Sequence, residues 1–380
     1  MVIKSIKYFR DLKKLQSLWE GWQYHPNTDF AHYQLVCKLR RHSPYVMIAQ
    51  NGGSPRALVA ARLEHSRFTP SVGYFKLGGI PLKALHILHH GLLGHSDEYV
   101  CSLIISHIWS LLSSGEIDAA FFHHLPNESP LLLALRRCAP RFWCSYPTGR
   151  DHWEMTLPNE TGFILKNMSS KHRSWIRGRK KKLNSDFPGK VAWRWLRPHE
   201  DINTICSRIE EVASRTYQRG LGAGFKNDEE HRERYSLFAR RGQLRIQLLE
   251  IGDKVGAFWI GMLYDGIFHS SATGYDPDLR SYELGTLMLI NMADELVREG
   301  VKSFDFGLGD AAYKKRFGDH RWQETSPSLF APSFKGFVLC ATSSGTNILN
   351  KYAQQFLTKT GALDKVKTNF RRSVQKKTSS

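Results

Sequence analysis

The stretch from Gly266 to Phe317, GIFHSSATGYDPDLRSYELGTLMLINMADELVREGVKSFDFGLGDAAYKKRF, predicts the central unit of the fold. Ile267–Tyr275 reads as a strand, and the turn residues Asp276-Pro277-Asp278 end it. An amphipathic helix follows from Leu284, and Gly300 ends this helix at its C′ position. A second strand completes a strand–helix–strand unit. The backbone N–H groups and partial positive charge at the helix start suit a phosphate or pyrophosphate.

The elements before this unit predict a mixed α/β sheet in the second half of the chain. A strand, two helices and two hairpin-linked strands precede it, at 191–195, 201–216, 229–240, 244–251 and 255–263. The first half shows a shorter version of the same order, with hairpin strands at 45–50 and 57–63, a helix at 97–113 and a strand at 117–122. Between them, 75–83 reads as a bend, and the first forty residues read as mostly helical.

This order predicts an α/β protein with two similar mixed-sheet domains. The N-terminal domain is expected at 1–150 and the C-terminal domain at 151–340. Residues 341–380 are expected to form a helical, basic tail, since KVKTNFRRSVQKKTSS closes the chain.

The composition limits the partners and the compartment. The chain has 380 residues and a formal net charge of +19, which favours an acidic partner such as nucleic acid, an anionic membrane or a phosphorylated ligand. Six scattered cysteines, with no signal-peptide core and no long apolar run, predict a cytoplasmic protein. The histidine runs near His86 and His123 lack carboxylate or cysteine partners at ligand spacing, so no metal site is expected.

The motifs of the central unit resemble a known family. They are GYDP at 274–277, Ser281-x-x-Leu284-Gly285 and FDF-x-x-GD-x-x-YK at 304–314, with Ser170-Lys171-x-Arg173 as a looser match upstream. Together they resemble the CelD-like branch of the GNAT acyltransferases, which is related to the Fem-type peptidoglycan aminoacyltransferases with two GNAT-like halves. The family usually has Pro-Gly where this chain has Leu284-Gly285, and residues 1–150 share only the order of elements.

The resemblance implies acyl transfer from acetyl-CoA or another acyl-CoA to an amine or hydroxyl. The implied acceptor is an amino sugar, a polysaccharide precursor or another cell-envelope intermediate. The implied contacts to coenzyme A are the helix start for the pyrophosphate and the preceding strand for the pantetheine arm. These are Leu284, Gly285, Thr286 and Leu287 for the first, and Ala272, Thr273 and Gly274 for the second.

Acyl transfer also needs a base, groups that polarise the carbonyl, and contacts to the acceptor. His269 and Asp305 are the candidates for accepting or orienting the proton, and Tyr313 could donate to the thiolate or carbonyl. The candidate substrate-binding residues are Lys171, Arg173, Tyr275, Asp310 and Lys314. Basic groups at a helix start can hold a phosphate or carboxylate, and arginine can do so with two hydrogen bonds.

Two alternatives stay open at this point. Aminoacyl-tRNA could replace acyl-CoA as the donor, as in Fem-type relatives, although no heptad run predicts their coiled-coil arm. The chain could instead be a non-enzymatic basic adaptor at an anionic membrane or nucleic acid. Nucleic acid is disfavoured because no nucleic-acid fold motif accompanies the basic residues, and peripheral contact with the inner face of a membrane is the remaining option.

Overall fold

The computed structural model describes residues 1–359 apart from 74, 77, 197–199, 221–223 and 310. The chain divides into two compact units. Among the described residues, the first comprises Met1–Asp151 together with residues 322–359, and the second comprises His152–Arg321. Asp310, a predicted substrate-binding residue, lies outside the described residues, as does the end of the basic tail.

The N-terminal part of the chain alternates strands and short helices. Its elements are β1 (Val2–Ile6), α1 (Phe9–Leu12), α2 (Gln16–Trp22), α3 (Phe30–Leu39), β2 (Ser43–Asn51), β3 (Ser54–Phe68), β4 (Ser71–Val72), β5 (Phe75–Lys76), β6 (Ile80–Gly94), α4 (Glu98–Ser113), β7 (Ala119–Phe122), β8 (Leu125–Pro126), α5 (Pro130–Cys138), β9 (Cys144–Ser145) and β10 (Arg150–Thr156).

The rest of the chain contains the longer helices. Its elements are α6 (Phe163–Lys166), α7 (Ser170–Asp186), β11 (Val191–Trp195), α8 (Ile202–Ala213), α9 (Tyr217–Gly220), α10 (Glu229–Arg240), β12 (Leu244–Ile251), β13 (Lys254–Tyr264), β14 (Ile267–Tyr275), α11 (Leu284–Arg298), β15 (Ser303–Leu308), α12 (Ala312–Phe317), β16 (His320–Thr325), β17 (Ser328–Phe330) and α13 (Phe334–Lys359).

The sheet of the second unit has the strand order β11-β12-β13-β14-β15-β10. Neighbouring strands are antiparallel except β14 and β15, which are parallel and joined by α11. One face packs on α7 and α11 through side chains that include Phe268 and Phe304. The other face packs on α8 and α10 through side chains that include Phe258 and Ile260. Each face needs its own cover because side chains of a strand alternate between the two faces.

The sheet of the first unit repeats this arrangement, in the order β1-β2-β3-β6-β7-β17-β9. Here β6 and β7 form the parallel pair, joined by α4, and the other neighbours are antiparallel. The prediction of two similar mixed α/β sheets is therefore confirmed.

The C-terminal segment differs from the predicted domain bounds. Residues 322–359 belong to the first unit, whereas the sequence pattern placed 322–340 in the second. Strand β17 pairs with β7, and Leu329 and Phe330 of β17 are fully buried. Burial of these two side chains stabilises a pairing between strands that are about two hundred residues apart in the chain. A pattern of neighbouring residues cannot predict such a distant pairing.

The first forty residues are mostly helical, as predicted, although strand β1 precedes the helices. One expectation for the first unit is wrong, because the residues from Ile80 form a long strand where 75–83 was expected to bend. Pro81 fits there because it stands at the start of β6, where a missing N–H is tolerated. All six cysteines are free thiols, as expected, and five of them are buried. None of the described helices is long and apolar enough to cross a membrane.

Candidate active site

Strands β14 and β15 separate soon after they begin. Their parallel ladder contains only three pairs, and His269 opposite Asp305 is the last of them. Beyond this pair β14 continues to Tyr275, while β15 stays paired on its other edge with β10 as far as Leu308. The fork between the strands therefore leaves one edge of β14, from Ser270 onward, outside the ladder. Backbone groups at such an edge can pair with an extended ligand.

Three buried polar side chains meet at the base of this fork. Asp305 Oδ2 accepts a hydrogen bond from Nδ1 of His269 at 3.0 Å, and Asp305 Oδ1 accepts one from Nε2 of His152 at 2.6 Å. Oδ1 also accepts the N–H of Gly307 at 2.6 Å. The side chains of His269, Asp305 and His152 all point away from the face that carries Phe268 and Phe304, because strand side chains alternate.

These contacts decide the charge of Asp305. Burial alone would raise the pKa of this carboxyl, but the hydrogen bonds from His152 and His269 outweigh burial and hold the pKa well below its usual range. An ionised carboxylate only accepts hydrogen bonds, so both imidazoles donate an N–H to it. His269 then carries its proton on Nδ1, and its Nε2 has the lone pair that a general base needs. Asp305 therefore holds the His269 ring through Nδ1.

The sequence pointed to His269 and Asp305 but missed His152. His152 lies in β10, outside the motifs of the central unit. It is 2% exposed and reaches Asp305 only because β10 lies beside β15 in the sheet. No motif links two residues this far apart in the chain, so only strand pairing could identify the contact.

The start of α11 contains the four residues that were predicted to contact the pyrophosphate of coenzyme A. Its N-cap residue is Glu283, with a left-handed φ of 56° and no capping side chain. The N–H groups of Thr286 and Leu287 donate to the Glu283 carbonyl, whereas those of Leu284 and Gly285 precede any acceptor in the helix. The side chains of Leu284 and Leu287 are buried in the core, so only their backbone can meet a ligand.

Gly285 is not required by packing. A Cβ built at Gly285 would meet only the ring of Tyr275, at 3.8 Å, which is ordinary contact. The surroundings of Gly285 would therefore accommodate a Cβ atom, and the backbone at this position is open to close approach. Gly274 differs, because a Cβ there would lie 2.9 Å from Phe258 and 3.1 Å from Thr216.

The remaining predicted residues of β14 can contribute only through the backbone or at the surface. Ala272 is buried, and the hydroxyl of Thr273 donates to the carbonyl of Phe258 at 3.0 Å. Tyr275 is 37% exposed and lies over Gly285.

Tyr313 and Lys314, both in α12, support the loop after β15. The Tyr313 ring packs edge-on against Trp259 and Phe306, with centroids 6.0 and 5.7 Å away. Lys314 is 8% exposed, and its Nζ donates to the carbonyls of Gly307 at 3.1 Å and Leu308 at 2.6 Å. Lys314 thus holds the turn that follows Asp305, in contrast to the exposed charge run suggested by the sequence.

Lys171 and Arg173 lie on the other face of the sheet. They belong to α7, which packs with α11 on the face opposite His269 and Asp305. Lys171 is exposed, and Arg173 donates weakly to the Leu165 carbonyl at 3.5 Å. An open groove of about 680 Å³ adjoins the start of α7, lined by residues of β10, α6, α7 and α12. The structure therefore does not bring the predicted substrate-binding helix to the His–Asp cluster.

The first unit gathers histidines around its own parallel strands. Ring nitrogens of His25, His89 and His90 lie within 4.8 Å of one another. Nδ1 of His25 accepts the N–H of Asn27 at 3.0 Å, so a neutral His25 carries its proton on Nε2. The rings of His25 and His90 stack 4.2 Å apart at 27°. The three histidines thus form a compact, partly stacked cluster.

The helix of the first unit that corresponds to α11 begins differently. At the start of α4 the Asp97 carboxylate accepts the N–H of Val100 at 2.8 Å, and Glu98 follows in the first turn. The Asp97 carboxylate thus occupies the position that a phosphate would need, and like charges repel there, while the Glu98 carboxylate pairs with Arg137. The features of a phosphate site are thus confined to the second unit in the part of the chain that the structure describes.

Comparison with known families agrees with this geometry. Residues 170–315 match the acetyltransferase (GNAT) domain. This GNAT domain includes β14, α11 and β15, and with them His269, Asp305 and Gly285. The match confirms the prediction of a GNAT-type acyltransferase domain, whereas the CelD-like branch, the donor and the acceptor stay predictions. The comparison with curated proteins finds no match.

Solved structures show the fold. The chain is similar to FemX at 8% identity, over 85% of this chain and 96% of that chain, with a TM-score of 0.55. It is similar to a conserved protein of unknown function from Bacteroides thetaiotaomicron at 12% identity, over 87% and 100%, with a TM-score of 0.51. A tandem GNAT protein from the clavulanic acid biosynthesis pathway also matches, at 11% identity, over 87% and 99%, with a TM-score of 0.49. The two mixed sheets and the match of residues 170–315 to the GNAT domain agree with the predicted α/β fold of tandem GNAT-like mixed-sheet domains.

Proposed function

We propose that the second unit transfers an acyl group from acyl-CoA, with acetyl-CoA as the simplest donor, to an amine or hydroxyl. The observation that carries this proposal is the fork of β14 and β15, whose base holds the His269–Asp305 pair. The fork presents an open strand edge, and α11 begins just beyond the end of the same strand with an unhindered Gly285. The match of residues 170–315 to the GNAT domain supports the same chemistry.

The donor would extend from α11 into the fork. The N–H groups of Leu284 and Gly285 would hold the pyrophosphate, since both lie at the positive end of the helix. The amide groups of the pantetheine arm would pair with the open edge of β14, along Ala272, Thr273 and Gly274. This path directs the thioester towards the base of the fork.

His269 would act as the general base. Its Nε2 takes the proton of the acceptor as the amine or hydroxyl attacks the thioester carbonyl. The new N–C or O–C bond forms, the C–S bond breaks, and the proton passes to the departing thiolate of coenzyme A. Asp305 keeps the imidazole in the required tautomer and stabilises the imidazolium that forms during the reaction.

The nature of the acceptor rests on the family resemblance. An amino sugar, a polysaccharide precursor or another cell-envelope intermediate would provide the amine or hydroxyl. Aminoacyl-tRNA is the second candidate donor, because the fold is similar to that of FemX. A donor panel separates the two, since an aminoacyl donor lacks the pyrophosphate arm of coenzyme A.

Peripheral contact with an anionic membrane is a further part of the proposal. Four side chains of α13 form an apolar stripe at helical spacing and are 54–68% exposed, namely Ile348, Leu349, Tyr352 and Phe356. The sequence of α13 has three lysines and no acidic residue. Six basic residues against Asp364 follow it in the sequence, outside the described residues. An apolar stripe flanked by predominantly positive charge is typical of a helix that lies on anionic lipid.

Vesicle flotation tests this membrane contact. The protein should float with vesicles of anionic lipid and not with neutral ones, and Tyr352→Glu should abolish flotation. Tyr99→Glu is the matched control, because Tyr99 is 59% exposed in the same unit but lies away from α13. Failure to float, combined with a dimer that Tyr352→Glu dissociates, would assign the stripe to a second copy of the chain instead.

The central experiment is a thermal-shift titration with coenzyme A, acetyl-CoA and longer acyl-CoA donors. A ligand at a hundred times its Kd stabilises the folded state by about 2.7 kcal/mol. Gly285→Glu should remove the shift, because a carboxylate at this position repels the pyrophosphate. The absence of a shift with every acyl-CoA, or an unchanged shift in Gly285→Glu, contradicts the donor assignment. Mass spectrometry of reactions with envelope-precursor extracts would then identify the acceptor.

A further inference from the structure

Arg234 of α10 lies beside β14, close to the proposed acyl-transfer site. Its Nη2 donates to the hydroxyl of Ser271 at 3.0 Å and to that of Tyr235 at 3.3 Å. The guanidinium lies over the Tyr235 ring, 5.0 Å from its centroid. The hydroxyls of Tyr235 and Ser271 are 3.0 Å apart. One cation and two hydroxyls thus form a compact polar cluster.

Ser271 lies on the same face of the sheet as His269. It is the extra residue of a β-bulge, because Ile260 pairs with Ala272 while Gly261 pairs with Ser270. Its partner Tyr235 belongs to the core on the α8 and α10 side. His269 points to that side as well, and two strand residues span about 7 Å. The Arg234 cluster is therefore one short step along β14 from the candidate base.

The charge of Arg234 is not matched by any carboxylate among the described residues. Many other arginines of the second unit pair with one. Examples are Arg208 with Glu250 at 2.7 Å, Arg215 with Asp276 at 2.9 Å, Arg219 with Glu210 at 2.7 Å and Arg245 with Glu299 at 2.6 Å. Arg234, within the described part of the chain, donates only to hydroxyls, and its buried Nε has no acceptor.

Arg234 therefore lacks two partners among the described residues, a carboxylate for its charge and an acceptor for its Nε–H. Its guanidinium stays charged at any ordinary pH, and a partly buried cation without a counter-charge is costly. A buried N–H donor without an acceptor adds to this cost. An anion supplied from outside the chain would satisfy both, since a guanidinium can hold a carboxylate or phosphate with two parallel hydrogen bonds.

We propose that Arg234 and Ser271 form a subsite for an anionic group of the acceptor, either a carboxylate or a phosphate. This inference rests on the proposed function, because the subsite would position the acceptor relative to His269, the proposed general base. An acceptor held at its anionic group would place its amine or hydroxyl at a fixed distance from Nε2 of His269. The acceptor class is thereby narrowed to anionic molecules that also carry a nucleophile.

Titration with simple oxyanions tests the subsite. Inorganic phosphate and succinate are the probes, added at constant ionic strength to protein saturated with coenzyme A, which occupies the α11 site. Arg234→Gln keeps a donor for Ser271 but removes the charge. Arg240→Gln is the matched control, since Arg240 is exposed on the same helix. Unfolding temperatures in the absence of ligand show whether each variant is folded.

Wild type and Arg240→Gln should show a saturable thermal shift with phosphate or succinate. Arg234→Gln should need about 10- to 100-fold more of the probe, the loss expected for a charge-assisted hydrogen bond. Ser271→Ala should weaken the response less, because it leaves the cation in place. The relative response to phosphate and succinate indicates which group the acceptor carries.

Equal half-saturating concentrations for wild type and Arg234→Gln would overturn the proposal, as would the absence of any saturable response in wild type. A shift caused by dicarboxylic acyl-CoA donors alone, lost in Arg234→Gln, would assign the subsite to the donor instead of the acceptor and would also overturn it. Failure of the subsite proposal can be distinguished from failure of the acyl-CoA assignment. If coenzyme A binds to no variant, the same oxyanion titration without coenzyme A still reports on Arg234.

Discussion

Asp305 Oδ2 accepts a hydrogen bond from Nδ1 of His269 at 3.0 Å, across the last pair that joins β14 to β15. The two residues are adjacent only because two parallel strands start in register and then diverge. The contact sets the tautomer of His269 at the point where the strands open. It explains how one buried pair can serve both the fold and the proposed chemistry.

The first prediction concerns this pair in catalysis. Asp305→Asn should lower kcat by about 10²- to 10⁴-fold, since an amide cannot accept N–H bonds from both imidazoles and His269 loses the required tautomer. The KM for acetyl-CoA should stay unchanged. Release of the coenzyme A thiol in the presence of acceptor measures both constants.

His152→Gln is the comparison for that experiment, because His152 touches Asp305 but lies on the side of β15 away from the fork. Its effect on kcat should be smaller than that of Asp305→Asn. Activity of Asp305→Asn within a few-fold of wild type would remove Asp305 and His269 from the mechanism.

The second prediction concerns stability in acid. The pKa of Asp305 is lower in the folded chain than in the unfolded chain. Its ionised form therefore adds to the free energy of unfolding above the unfolded pKa of about 4, and this stabilisation is lost as the pH falls through the folded pKa. Urea unfolding between neutral pH and pH 3 should therefore show a steeper loss of stability in wild type than in Asp305→Asn. Asp253→Asn, at an exposed turn, should keep the wild-type slope. Parallel curves for wild type and Asp305→Asn would contradict the assignment of an ionised, hydrogen-bonded Asp305.

The third prediction contrasts two glycines of the proposed donor site. Gly285→Ala should leave the free energy of unfolding nearly unchanged, since the added methyl meets only the Tyr275 ring at 3.8 Å. It should nevertheless reduce the thermal shift caused by acetyl-CoA. Gly274→Ala should instead destabilise the free protein by about 1–3 kcal/mol, because its methyl would overlap Phe258.

Chemical denaturation and thermal-shift titration of both glycine variants separate packing from binding. A strongly destabilised Gly285→Ala would show that this glycine serves packing, in line with an ordinary helix start. A full acetyl-CoA shift in Gly285→Ala would show that the ligand does not approach the backbone at this position.

The fourth prediction concerns Lys314 in the loop after β15. Lys314→Met should destabilise the second unit by about 1–3 kcal/mol, because the carbonyls of Gly307 and Leu308 lose a buried charged donor. Lys315→Met is the control, since Lys315 is exposed on the same helix and should be close to neutral. Denaturant unfolding measures the free energy of unfolding of both variants. Equal stability of the two would contradict a structural role of Lys314 and would favour its predicted role as a substrate contact.

Local patterns in the sequence predicted the central unit well. The strand Ile267–Tyr275 has the predicted bounds, and α11 begins at the predicted Leu284. Alternation of apolar side chains, helical spacing and the C′ glycine act over a few residues, so the sequence displays them directly. The motifs around Gly285 and Asp305 were visible for the same reason.

The parts that the sequence did not reveal depend on pairing between distant segments. His152 joins Asp305 through the neighbouring strands β10 and β15, and β17 joins the first unit through β7. Arg234 reaches Ser271 only because α10 packs on the sheet beside the bulge. Such contacts form because the assembled sheet buries its two faces. Neither of the two contacting segments shows this burial as a periodic pattern of residues.

The sequence by itself therefore determined the strand–helix–strand unit, the glycine at the helix start and the identity of His269 and Asp305 as candidates. Only the tertiary structure decided that His269 and Asp305 act as a pair with His152, and that Lys171 and Arg173 lie on the opposite face. The physical reason is that local conformation follows from neighbouring residues, whereas a site is made by side chains that strand register and sheet packing bring together from distant parts of the chain.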